Sequence, residues 1–112
     1  MITDLAIYQK VYDLYIYTHR FILKMPKSQR FLMSKTLQES LMETIKLMVV
    51  ANLQRDKTER LLLQEQIEGW MMIYLTTLRL ARDLKMLADK KYECASILSA
   101  EILKILAGWK KC

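Results

Sequence analysis

The stretch "YQKVYDLYIYTHRFILKMPKSQRF", Tyr8 to Phe31, decides the fold in two ways. Its apolar residues recur at spacings of three and four, the period of one helix face. The run then meets Pro26, the single proline of the chain, which lacks an N–H and clashes with the preceding turn. Two apolar stripes lie side by side. Tyr8, Tyr12, Tyr15, His19 and Ile22 form one, and Ile7, Val11, Leu14, Phe21 and Met25 form the other. Gln9, Asp13, Arg20 and Lys24 form a narrow polar face. The pattern predicts a first helix over residues 4–25 that buries two sides, one in its own core and one against another chain. His19, the only histidine, falls in the tyrosine stripe and is expected to be packed and hydrogen-bonded.

Three more helices follow from the same logic. Ser28 offers an N-cap for a helix over 28–54 with Phe31, Leu37, Leu41, Ile45 and Met48 inward. The polar "NLQRDKTER" is the next connection, and Asp56 or Thr58 caps a helix over 57–87. Its inner face reads Leu63, Ile67, Trp70, Tyr74, Ala81 and Leu84. Gly69 interrupts that face at a cost of ~1 kcal/mol relative to Ala, which asks for a close neighbour or a kink. "LADKKYE" breaks the period, Asp89 caps, and a helix over 90–108 turns Leu98, Ile102, Ile105 and Trp109 inward until Gly108 ends it. With two glycines and one proline among 112 residues, little else punctuates the chain. The expected fold is all-α: one domain over 1–112, an antiparallel up-down-up-down four-helix bundle assembled as a homo-oligomer.

The net charge is +6, and it is unevenly placed. Residues 14–38 hold Arg20, Lys24, Lys27, Arg30 and Lys35 with no acid at all. In an up-down bundle the turns at Pro26 and Asp89 share one end. The half around them, residues 15–41 and 73–99, adds Arg79, Arg82, Lys85, Lys90 and Lys91. Ten basic and four acidic residues leave +6 there, and the other half, with eight of each, nets zero. A solvated face is the ordinary reading of any one lysine. The polarised set of ten is read as a phosphate-binding surface for nucleic acid.

Several chemistries lack their residues. One histidine cannot build the paired Glu-x-x-His sites of di-iron bundles, and Cys94 and Cys112 are too far apart in sequence to frame a zinc site. No Gly-rich phosphate loop or Ser–His–Asp set is present. The expectation is a non-enzyme without metal or cofactor, its cysteines reduced. "MITDLAIYQK" has no basic n-region, and "WMMIYL" falls far short of the ~20 residues that cross a bilayer. A cytoplasmic protein without a membrane partner is expected.

"YQKVYDLYIYTHRFILKMPKSQRF", "LRLARDLKMLADKKYE" and "EILKILAGWKK", in this order, resemble the accessory variability determinant family of diversity-generating retroelements. The resemblance runs from about Tyr8 to Lys111. It implies a four-helix protomer in a homopentameric ring. That ring would bind the element's reverse transcriptase together with template RNA and its cDNA hybrid, supporting mutagenic reverse transcription. By motif position it implies Lys27, Arg30, Arg79 and Arg82 as contacts. Where the family often has a Gly-Arg pair and Gly-Gly-Trp, this chain has Leu103-Lys104 and Ala107-Gly108-Trp109. The alternatives are a bundle protein of ribosomal RNA intervening sequences, which shares the fold, or a general helical protein-interaction module.

Overall fold

The three- and four-residue spacings close into four helices: α1 (Ala6–Ile22), α2 (Lys27–Leu53), α3 (Lys57–Asp83) and α4 (Asp89–Lys110). The computed structural model describes residues 5–112, with the backbone alone at 28–30, and those residues include no strand. Each helix packs against two others, α2 with α3 most extensively and α1 between α2 and α4. The body measures 45 × 21 × 21 Å, so the helices lie along one long axis.

The helix ends depart from the sequence reading for local reasons. α1 stops at Ile22, short of 25: the Lys24 and Met25 N–H groups bond the carbonyls of Phe21 and Ile22, each at 3.0 Å. Met25 precedes proline, and the proline ring disfavours helical backbone there. α2 starts at Lys27, so the N-cap position falls on Pro26, which has no capping side chain, rather than on Ser28. Asp56 does cap α3, its Oδ1 accepting the Thr58 N–H at 3.0 Å. α3 ends at Asp83 instead of 87. Lys85 takes a left-handed φ of 59°, its N–H bonds the Arg82 carbonyl at 2.9 Å, and the Met86 N–H reaches back to Ala81 at 2.8 Å. This six-to-one closure carries a lysine where glycine is usual, and Met86 tucks into the core. Asp89 is the first residue of α4 rather than its cap, and α4 continues past Gly108 to Lys110.

The core selects one of the two stripes on α1. Ile7, Val11, Leu14, Thr18 and Phe21 are buried, and of the tyrosine stripe Ile22 alone joins them. Tyr8 and Tyr15 are half-buried flanks, while Tyr12 and His19 are exposed, so His19 is not the packed residue expected. Leu37, Leu41 and Met48 of α2 are buried as predicted, but Phe31 is 77% exposed. Ser40 and Thr44 fill the space beside them by donating to the Thr36 and Ser40 carbonyls, each at 2.8 Å. On α3 Ile67, Met71, Tyr74, Leu78 and Ala81 are buried and Leu84 is exposed. α4 turns Ala95, Ser99, Ile102 and Leu106 inward.

One hydrogen bond crosses the core between α1 and α3. The Thr18 hydroxyl donates to the Leu14 carbonyl and lies 2.7 Å from the Tyr74 hydroxyl. A threonine has one hydroxyl proton, so Tyr74 is the donor between them. Burial pushes the Tyr74 hydroxyl well above its ordinary pKa. Gly69 finds no neighbour of the kind the sequence asked for: a Cβ built there meets nothing within 4 Å.

Candidate nucleic-acid interface

Two connections that are far apart in sequence meet at one end of the molecule. Lys24 and Pro26 from the α1–α2 turn line one hollow together with Arg82, Lys85, Leu87 and Asp89 from the α3–α4 region. Pro26, Met86 and Leu87 supply apolar surface, and the cations ring it. An adjoining hollow joins Lys24 to Lys91 beside Phe21 and Met25. Both turns are short because each is closed by its own backbone hydrogen bonds, which fixes where the lysines emerge.

The cations differ in what holds them. Arg82 donates from Nε and Nη2 to Asp83 Oδ1 at 3.0 and 2.9 Å, and its guanidinium carbon lies 4.1 Å from the centre of the Tyr92 ring. The Asp83 bond raises its affinity for its proton further. Arg79 is open to solvent and reaches Asp83 only at 3.9 Å. Lys91 sits 5.5 Å over the Tyr17 ring, whose hydroxyl is pushed up to about 12 by burial and by the neighbouring Cys94 thiol. Lys24 and Lys85 are exposed. Cations stacked on rings keep their outer donors for a further partner.

Of the ten residues singled out, Lys24, Arg82 and Lys85 converge, and Lys91 adjoins them. Arg20, Lys27, Arg79 and Lys90 are exposed near the same two connections. Lys35 lies eight residues along α2 from Lys27, about 12 Å at 1.5 Å per residue. The Arg30 side chain lies outside the described residues. Lys85 does not continue the face of Arg79 and Arg82, because α3 has already ended at Asp83.

The acids Asp83 and Asp89 also line the main hollow, which leaves three cations against two carboxylates there. The strong excess is therefore a property of the whole end and not of its floor. Tyr17 and Tyr92 were not singled out; their role as platforms depends on contacts between different helices, which no spacing displays. Among the described residues no three His, Cys, Asp or Glu side chains converge as metal ligands would, and no helix is long and apolar enough to cross a membrane. The surface can hold an anionic polymer by charge and by hydrogen bonds from lysine and arginine, without reading bases.

A protein-family model described as bAvd-like matches residues 5–112, nearly the whole chain. No curated protein matches it.

Proposed function

The chain belongs to the bAvd-like family, and on that premise we propose that it is the non-catalytic accessory subunit of a diversity-generating retroelement. It binds the element's reverse transcriptase and holds template RNA, and the RNA/cDNA hybrid formed from it, close to the polymerase during mutagenic synthesis. The single observation that carries the nucleic-acid role is the meeting of the two connections, which pools Lys24, Arg82 and Lys85 at one end. Arg79, Lys27, Arg20, Lys90 and Lys91 enlarge that surface, and Lys35 extends it along α2. The protein acts in the cytoplasm, where its element is transcribed.

The protomer is read as an up-down-up-down bundle. Two contacts support alternating directions: Lys10 on α1 reaches Glu101 on α4 at 3.0 Å, and Lys91, earlier on α4, lies over Tyr17, later on α1. The protomers form a homo-oligomer, by family resemblance a pentameric ring. Apolar residues left open support self-association: Tyr12 and Ile16 on α1 align with Leu23 just past its end, and Leu62, Ile73 and Leu80 align around Gly69 on α3. Two different apolar faces on one chain suit head-to-tail contacts that close into a ring.

Filter binding of single-stranded RNA across a salt series tests the reading. Log affinity falls with log salt by about 0.7 for each phosphate neutralised. Replacing Lys24, Lys27, Arg79 and Lys85 together by Gln weakens binding and flattens that slope while the protein stays folded. A slope near zero for the wild type, or unchanged affinity in the fourfold variant, refutes the proposed surface. Light scattering that shows a monomer at micromolar concentration refutes the ring.

A further inference from the structure

The half of the molecule whose charges cancel contains a second cationic hollow. At the start of α3, Lys57, Thr58, Arg60 and Gln64 line an open space of about 270 Å³ together with Lys110 and Lys111 from the end of α4. Leu61 and Cys112 complete the lining, and none of the described side chains in it is acidic. Nearby acids are already paired: Asp56 caps the Thr58 N–H at the start of α3, and Glu68 pairs with the Lys110 ammonium at 2.9 Å. α3 is 27 residues long, so this hollow lies about 40 Å from the one at its other end.

Gln64 is the informative residue. It is 2% exposed, and its side-chain Nε2 is buried without a hydrogen-bond partner. Buried polar groups are nearly always satisfied, because an unmatched donor is costly. The space is many times the roughly 30 Å³ that one water occupies in the liquid. An oxyanion supplies what is missing. It offers acceptor oxygens to the Gln64 amide and to first-turn N–H groups of α3 that have no acceptor inside the helix. It also offers negative charge to Lys57, Arg60, Lys111 and the positive end of the helix dipole.

We propose that this hollow is a phosphate-binding site in which Gln64 and the start of α3 hold the phosphate oxygens and Lys57, Arg60 and Lys111 neutralise them. The phosphate comes either from a free phosphate compound or from a polynucleotide backbone. The site does not depend on the nucleic-acid role proposed for the opposite end.

Titration of the full chain with inorganic phosphate at constant ionic strength, followed by amide NMR with chloride as control, tests it. The Gln64 side-chain NH2 signals and the Lys57 and Glu59 backbone amides shift and saturate with phosphate but not with chloride. Gln64→Met, which keeps the volume without the amide, weakens phosphate binding by about tenfold or more. The surface variant K57Q/K111Q does the same, and it carries the test if the Gln64 variant fails to fold. A second titration with a single-stranded RNA oligonucleotide separates the sources. The same shifts with displacement of phosphate assign the backbone, and shifts with free phosphate alone assign a small compound. No saturable shift, which means water alone fills the hollow, overturns the proposal. Shifts confined to the Lys24–Lys85 end, or variants that bind like the wild type, overturn it as well.

Discussion

Lys85→Gly separates the stability of the bundle from its proposed grip on RNA. Lys85 sits at φ 59° in the turn that ends α3, where the Met86 N–H closes on Ala81 at 2.8 Å. An L-residue with a Cβ loses roughly 1–2 kcal/mol in left-handed backbone. Glycine escapes that strain but gives up about 0.5–1 kcal/mol through its greater freedom when unfolded. The balance is a gain of about 0.5–1 kcal/mol, which raises Tm by about 2–5 °C for a domain of this size. The same change removes an exposed cation from the hollow shared with Lys24 and Arg82. The slope of log RNA affinity against log salt should therefore fall in magnitude by about 0.7. Lys85→Ala is the control, since it keeps the strained backbone and loses only the charge: its stability stays near wild type and its RNA loss equals that of K85G. Urea unfolding and filter binding read both quantities. A K85G protein less stable than the wild type refutes the strain argument. K85G and K85A both retaining wild-type RNA affinity refute the contact.

The core hydrogen bond makes an ordered prediction in urea melts. Tyr74→Phe costs about 1 kcal/mol because Thr18 still donates to Leu14, whereas Thr18→Val costs up to about 3 kcal/mol by stranding the Tyr74 proton; the reverse order refutes the donor assignment. Alkali supplies a second check. The Tyr74 pKa is higher in the folded state than the ordinary value near 10, so its contribution is complete below about pH 10 and is lost as pH rises beyond it. Y74F should show a shallower alkaline loss of stability than the wild type, and identical profiles count against that role. Gly69→Ala meets no atom within 4 Å in the chain and should add about 1 kcal/mol to the stability of the protomer. Gly69→Leu should lower the oligomeric state in light scattering if a second copy packs closely on α3, and unchanged assembly excludes that face.

The four helices were legible in the sequence because spacing and punctuation agree. Pro26 marks the first turn, and Asp56 marks the second through the cap that it makes. The third connection was misjudged at Lys85, since the apolar period continues through Leu84 and Leu87 while the backbone turns left-handed between them. Periodicity also placed Phe31 and Leu84 in the core, and both are exposed beside turns. It passed over Thr18, Ser40, Thr44 and Gln64, which are buried with polar groups. Short hydroxyl side chains can return their proton to the helix backbone four residues earlier, so polarity alone does not keep them at the surface. The basic end was visible as a charge count. Which cations stand free was not, because the pairing of Arg82 with Asp83 and Tyr92 and the seating of Lys91 on Tyr17 depend on helix ends and on neighbours.

By itself, the chain determined that it forms four helices, where two of its turns begin, and that its surplus charge flanks residues 20–35 and 79–91. Those properties are local, governed by a period of 3.6 residues and by the chemistry of single side chains. Only the tertiary structure decided which α1 stripe is core, that the turns at Pro26 and Lys85 share one hollow, and that Gln64 is buried facing cations from a helix 46 residues further on. Counting charges along the chain averages over directions, and packing restores them. A set of residues that nets zero in sequence therefore contains a positive hollow in space.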